Sequence, residues 1–226
     1  TDWVKQWGTL TNTPIQLASL KKKVKKVKSA PFEVIKKTEL NSDDTYMVHL
    51  KPKKKTKFQS GDLWEYVADD GIPRWYSVAK YQDQLLLSIK KHEHGKVSSL
   101  LSMLQTDDIL QGGIKKNVGF HFPRGAAEVV CIGNGTGIAP FLGLIDENVN
   151  KIPLTLYWGG RTSKSVLLYQ DYLDEAIRNE KLTKVHLAAS RGKETKMYVQ
   201  DLLENDKEVL AKKLDAGAVV MICGSI

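Results

Sequence analysis

One change of hydrophobic period, near residue 124, does most to limit the folds open to this chain. Upstream of it, apolar and polar residues alternate in short runs: FEVIKKTEL (32–40), TYMVHLKP (45–52), DLWEYVA (62–68), WYSVAKY (75–81) and QLLLSIKKH (84–92). Alternation with period two is the signature of half-buried strands. Turn chemistry at 41–44, 60–61 and 69–73 separates them. One short helix, SLLSMLQ (99–105), is expected among them. Downstream, compact apolar strands alternate with helical spacing. EVVCIG (128–133), LTLYWGG (154–160), KVHLAAS (184–190) and AVVMICG (218–224) read as strands. IAPFLGLI (138–145), VLLYQDYLDEAIRN (166–179) and YVQDLLENDKEVLAKKL (198–214) read as helices, the last as one long one. Strands separated by helices pair in parallel. The sequence therefore predicts an antiparallel β-barrel at 29–123 and a parallel α/β domain at 124–226, after a lysine-rich extension at 1–28. In that extension Trp3 and Trp7 stand one helical turn apart, a packing face.

The 226 residues are 42% hydrophobic, enough for two cores, and no run reaches the roughly 20 apolar residues of a membrane span. No secretory signal is read either, so the expected location is cytoplasmic, or the cytoplasmic face of a membrane for a longer anchored chain. Two cysteines, Cys131 and Cys223, exclude a disulfide framework and a four-cysteine iron–sulfur cluster, and no metal site is expected. The net charge of +8 is local. Lysines 21, 22, 23, 25, 26 and 28, with 51, 53, 54, 55 and 57, carry all the excess and leave the rest mildly acidic. Such clusters suit an acidic protein, an anionic membrane surface, or only solvent. Nucleic acid is excluded as a partner, because the clusters lack the interleaved arginines and aromatics of a binding face.

C-I-G-N-G-T-G-I-A-P-F (131–141) follows a predicted strand and opens a helix. Backbone amides at such a start carry partial positive charge, and Gly133, Gly135 and Gly137 let a phosphate approach without a Cβ in the way. Thr136 adds a hydroxyl. The spacing is neither a Walker loop nor a strict six-residue dinucleotide fingerprint, so a plain strand-to-helix turn is the bland alternative. Ligands of open α/β sheets lie across the carboxyl ends of the strands. Matching chemistry stands at the other ends: Gly159-Gly160-Arg161-Thr162, Ser190-Arg191 with Lys196, Tyr198 and Gln200, and Cys223-Gly224-Ser225. Arg161, Ser190, Arg191 and Lys196 suit a dinucleotide with an extra 2′-phosphate, and Tyr198 suits an adenine face. Singly, each reads as a surface charge or a helix start. In the barrel, alternation puts Arg74 and Tyr76 on one face of a strand and Trp75 and Ser77 on the other. Gly95 with Ser98 and Ser99 opens a short helix, which reads as a phosphate seat or as an N-cap.

In order, R-W-Y-S-V-A, G-K-V-S-S-L-L, G-N-G-T-G-I-A-P-F, Y-W-G-G-R-T, S-R, K-M-Y-V-Q and C-G resemble the ferredoxin–NADP reductase superfamily. The likeness is greatest to its diflavin-reductase branch, the sulfite reductase flavoprotein and nitric oxide synthase reductase type, and runs from about Phe32 to Ile226. It implies a barrel that binds FAD and an α/β domain that binds NADPH. It implies Arg74 on the FAD pyrophosphate, Tyr76 stacked on the isoalloxazine and Ser77 at flavin N5, with Gly95, Val97 and Ser98 on the pyrophosphate. Gly135 and Thr136 would hold the NADPH pyrophosphate, and Arg161 would also meet a nucleotide phosphate. Ser190, Arg191, Lys196 and Tyr198 would read the 2′-phosphate, with Gln200 on the adenosine and Cys223 beside the nicotinamide.

The branch's helical insertion in the FAD domain is missing, so the module is a minimal one. The family also continues beyond the C-G pair through another helix and strand. These supply an aromatic residue over the flavin and an acidic residue near the hydride path. The expectation is therefore a piece of a longer polypeptide. The implied activity takes electrons from NADPH through FAD to a one-electron acceptor. That acceptor is an acidic flavodoxin or FMN domain, separate or on the same polypeptide. Alternatives are the reductase part of a larger membrane-anchored or multidomain flavoprotein, a fragment that binds nucleotide with little turnover, and an NADH-dependent reductase feeding an iron–sulfur domain.

Overall fold

The structure, a computed structural model, describes residues 27–191 and 196–224. Trp3, Trp7, the lysines from 21 to 26 and Ser225 lie outside the described residues. Seven antiparallel strands form the first sheet: β1 (Ser29–Lys37), β2 (Thr45–Pro52), β3 (Leu63–Val67), β4 (Pro73–Ser77), β5 (Ala79–Tyr81), β6 (Gln84–Lys90) and β7 (Ile109–Lys115). Their order is β4-β3-β7-β1-β2-β6-β5. The run WYSVAKY, predicted as one strand, is split at Val78 into the two opposite edges of that sheet. Val78 accepts from the Gly61 amide and donates to the Asp62 carbonyl instead of joining either ladder. A single residue thus links the two edges, which requires the sheet to curl into a barrel. Phe32, Tyr46, Leu50, Trp64, Leu85 and Leu87 fill it.

β7 was not predicted. Gly112 and Gly113 break its apolar pattern, yet it pairs with both β1 and β3. The glycine is required there: a Cβ on Gly112 would stand 2.4 Å from Trp64 Nε1. The predicted helix 99–105 forms earlier, as α1 (Lys96–Ser102), and leaves Met103 exposed.

The second sheet is parallel, ordered β10-β9-β8-β11: β8 (Val129–Asn134), β9 (Leu154–Gly160), β10 (Lys184–Ala189) and β11 (Val219–Cys223). Helices α2 (Ala139–Asp146) and α3 (Gln170–Arg178) are each entered through a 3-10 turn, at Gly135–Ile138 and Ser163–Tyr169. Val166, Tyr169 and Leu173 turn inward as spaced, but Ile177 is exposed and Ala176 is buried in its place. The long helix predicted over 198–214 is two, α4 (Val199–Asn205) and α5 (Lys207–Asp215). The break has a cause. Asp206 accepts a hydrogen bond from Tyr157 on β9 at 2.8 Å and lies 3.4 Å from His186 Nδ1 on β10, which pulls the chain onto the sheet.

One apolar cluster joins the two sheets, with Met47, Ala79 and Leu86 of the barrel packed among Phe141, Leu142, Trp158 and Tyr169. Polar contacts rim it: Ser60 donates to Glu147, Ser88 pairs with Tyr169, and Tyr172 meets His49 Nε2.

Candidate functional site

Chain order in the parallel sheet runs outward from β8 through β9 to β10 and then returns to β11 on the other side of β8. The carboxyl ends of β8 and β11 are therefore the switch point where an open α/β sheet offers a crevice. A cavity of about 650 Å³ opens there. Gly135, Thr136, Arg161, Ser190, Tyr198, Gln200 and Cys223 line it, seven of the residues predicted from sequence. The loop from β8 to α2 lies directly on the end of β11. A Cβ on Gly137 would stand 2.3 Å from the Cys223 carbonyl oxygen, so only glycine permits that contact. Trp158 Nε1 donates to the Gly135 carbonyl at 2.9 Å and fixes the loop from β9. Sequence reasoning quoted Trp158 only as part of a motif, because its role depends on parallel pairing across β8 and β9.

Ser190 follows β10, and its amide and hydroxyl both donate to the Gly160 carbonyl. Arg191 is exposed outside the cavity lining, and its amide donates to the Arg161 carbonyl. Lys196 is exposed beside the cavity residues Met197 and Tyr198. The Tyr198 ring is half exposed over the opening, and its amide is capped by Asp201.

The predicted barrel residues Arg74, Tyr76, Ser77, Gly95, Val97 and Ser98 do not line this cavity. They gather on β4 and at α1. The register places Tyr76 opposite Trp64 and Arg74 opposite Tyr66, on one face, as alternation required. Trp75 lies on the other face, donates to Glu65 and is covered by Lys115. Tyr76 is half-buried with its ring 6.1 Å from that of Trp64, and burial pushes its hydroxyl up to about 12. Arg74 Nη1 donates to Asp70 at 2.6 Å and to the Ile72 carbonyl. The guanidinium, with the Ile72 amide, holds the Asp70 carboxyl down at about 2. Val97 is buried in the barrel core. Ser98 is buried too; its hydroxyl donates to the Gly95 carbonyl and accepts from the His92 amide, while its carbonyl accepts from Tyr46 at 2.6 Å.

One pair spans the two sheets. Ser77 Oγ on β4 lies 3.9 Å from Cys223 Sγ at the end of β11, although 146 positions separate them. Burial pushes the Cys223 thiol up, against the opposing effect of the Ser77 hydroxyl, so at neutral pH it is an uncharged weak donor. Cys131 is fully buried and its thiol is pushed up further, which makes it inert.

The sequence reading also missed a whole wall of the cavity. Asn41, Asp43, Thr45, Lys90 and His92 line it from the barrel. The segment 41–44 carried only a turn signal. Its second use comes from the way the barrel docks, with Asp43 accepting from Ser165 of the turn before α3. Among the described residues no group of three metal-ligating side chains converges, and no helix is long and apolar enough to cross a membrane.

Comparisons with known proteins agree with this arrangement. The oxidoreductase NAD-binding domain family matches residues 131–226. Human NADPH–cytochrome P450 reductase is 37% identical over 113 residues, which is 46% of this chain and 17% of that protein. The sulfite reductase [NADPH] flavoprotein alpha-component of Buchnera aphidicola subsp. Schizaphis graminum is 29% identical over 170 residues, 68% of this chain and 28% of its own length. The chain thus spans less than a third of either relative. A ferredoxin NADP+ reductase from Neisseria gonorrhoeae, solved with bound FAD and NADP, superposes with a TM-score of 0.68 at 19% identity, over 88% of this chain and 86% of that one. Residues 131–226 therefore match the oxidoreductase NAD-binding domain family, within a chain that has the two-domain fold of the ferredoxin–NADP+ reductases.

Proposed function

We propose that this chain is an NADPH-dependent flavoprotein reductase module, in which electrons pass from NADPH through FAD to a one-electron acceptor. The observation that carries the reading is the meeting of Ser77 and Cys223 at 3.9 Å. It brings the edge strand of the barrel to the switch point of the parallel sheet, where a donor seated on one and an acceptor seated on the other come together. We assign residues 29–123 to the flavin and residues 124–226 to the nucleotide.

The residues fit both groups. The glycine loop, with Gly135 and Thr136, offers backbone amides and a hydroxyl to a pyrophosphate. Arg161, Ser190, Arg191 and Lys196 supply cations and a hydroxyl for phosphate, Tyr198 a half-exposed ring for adenine, and Gln200 an amide beside it. On β4, Arg74 uses only Nη1 within the chain, so Nε and Nη2 have no partner among the described residues and are open to a phosphate. Tyr76 presents an aromatic face and Ser77 a hydroxyl along the same strand. The turn at Gly95 is so tight that a Cβ would stand 2.3 Å from Ser98 Oγ, which brings bare backbone to the surface there. FAD, when bound, supplies hydride acceptance and the stepwise release of electrons. The chain supplies position: the neutral Cys223 thiol and the Ser77 hydroxyl orient the reacting rings without adding charge, and the joined cores shield them from water.

The names of two relatives describe reductases that use NADPH, and the Neisseria structure holds FAD and NADP. For the acceptor we infer an acidic flavodoxin or FMN domain, with an anionic membrane surface as the other use of the lysine clusters. The test is the visible spectrum of the protein incubated with FAD and desalted. Flavin bands that bleach under anaerobic NADPH, faster than under NADH, are expected. A colourless protein would overturn the flavin assignment, and equal rates with NADH would overturn the choice of nucleotide.

A further inference from the structure

Asp43 stands on the barrel wall of the switch-point cavity, and it is buried. Its carboxylate makes no ion pair among the described residues. A buried carboxylate beside a cavity suited to phosphates repels the ligand, so its place there calls for another use. The turn that carries it is firmly held. Asn41 Oδ1 accepts from the amides of Asp43 and Thr45 at 2.9 and 3.0 Å, and the Asp44 carbonyl accepts from the Lys91 amide at 2.7 Å. The turn thus presents Asp43 to the parallel domain in one position.

What it meets there is Ser165, also buried, in the turn before α3. The Ser165 hydroxyl has one proton, which it donates to Asp43. Its oxygen accepts from the Thr162 amide at 2.9 Å, and the Ser165 amide donates to the Thr162 carbonyl at 3.0 Å. Thr162 follows Arg161, which lines the cavity and whose carbonyl accepts from the Arg191 amide at 2.6 Å. A chain of bonds therefore runs from the barrel to the backbone of both arginines. We propose that Asp43 is a positioning residue of the nucleotide site: through Ser165 it holds the turn that carries Arg161, so that the barrel sets how tightly the parallel domain grips phosphate. The inference rests on the dinucleotide reading of the cavity. A side chain that touches the ligand keeps its aim only if its own support is fixed by such bonds. A neutral acceptor of the same shape would give that support without repelling the ligand, and this separates the two effects of Asp43.

The test is calorimetric titration with NADP+ of wild type, Asp43→Ala and Asp43→Asn, at one fixed ionic strength. Both variants remove the same charge, and only asparagine keeps an oxygen for Ser165, so the difference between them isolates the hydrogen bond. Asp43→Ala is expected to bind about tenfold more weakly than Asp43→Asn, the order expected of one hydrogen bond. In an Arg161→Gln background the two are expected to bind alike, since the group that the bond positions is gone. Ser165→Ala, which removes the donor and keeps Asp43, is expected to weaken NADP+ binding as well, and it carries the test should Asp43→Ala fail to fold. Equal affinities of Asp43→Ala and Asp43→Asn, wild-type affinity of Ser165→Ala, or a difference that survives undiminished in the Arg161→Gln background would overturn the inference and leave the dinucleotide site standing. A wild-type protein that does not bind NADP+ would overturn both.

Discussion

Asp62 shows how one buried charge can anchor the chain where it leaves the barrel. It is fully buried, and each carboxylate oxygen takes two donors: Asn117 N and His121 Nε2 on Oδ1, and Gln59 N and Lys116 Nζ on Oδ2, all within 3.0 Å. Lys116, Asn117 and His121 belong to the stretch that leaves β7 for the parallel sheet, so the aspartate ties that exit to the barrel. Burial alone would raise its pKa, but Lys116, His121 and the two amides together outweigh burial and lower it. A carboxyl whose folded pKa lies below its unfolded value stabilises the fold above the unfolded pKa of about 3.9, and that contribution is lost as pH falls through the folded value. Asp62→Ala leaves two backbone amides without their acceptor and should cost about 2–4 kcal/mol at neutral pH. Urea unfolding of both proteins between pH 7 and pH 3 measures it. The difference should shrink toward the acid end, and a constant difference would mean that the charge contributes nothing. Nothing in the sequence singled out this residue, because its four partners come from two separate segments. Cys223 and Ser77, by contrast, were legible through the motifs around them.

At the level of elements, the sequence revealed what local pattern controls and hid what tertiary contact controls. The strands β2, β6, β8 and β9 were clear because each is a short segment rich in apolar residues. β7 was hidden, since Gly112 and Gly113 carry no side chain to show alternation, and the missing side chain at Gly112 is what makes room for Trp64. The break at Asp206 was hidden as well, because the helical spacing passes through it and the contacts that break it come from Tyr157 and His186. Of the seven cavity residues read from sequence, Gly135, Thr136, Arg161, Ser190 and Cys223 sit at or just after strand ends, where the rule for parallel sheets applies, and Tyr198 and Gln200 at the start of the helix that follows β10. The barrel wall of the cavity follows no such rule. Gly112→Val tests the account of β7. Its side chain would collide with the indole of Trp64, which is fully buried and whose Nε1 has no hydrogen-bond partner among the described residues. Overpacking of this kind costs about 1–3 kcal/mol, or a fall in Tm of roughly 2–12 °C for a chain of this size. A thermal melt followed by tryptophan fluorescence reads both the loss and its site. An unchanged Tm would mean that the indole has room to move and that the glycine is incidental.

Across the whole molecule, the charge that dominates the composition stands apart from the cavity chemistry. Within the second lysine cluster, Lys51 pairs with Asp83 and Lys53 with Glu33, which leaves Lys54, Lys55 and Lys57 exposed and unpaired among the described residues. They sit in the connection from β2 to β3, on the same barrel that carries Arg74, Tyr76 and Ser77. An exposed cluster of three charges adds little to stability, since solvent and salt screen it. It does raise the encounter rate with a partner of opposite sign, and that effect fades with ionic strength. Changing all three to glutamine should therefore leave Tm and the reduction of a small acceptor such as ferricyanide by NADPH unchanged. It should slow reduction of an acidic flavodoxin several-fold at about 20 mM salt. By about 0.5 M salt, where the screening length is only a few ångströms, variant and wild type should converge. Stopped-flow rates across that range decide the matter. A variant as fast as wild type at low salt would assign these lysines to solvent and move the docking surface elsewhere on the molecule.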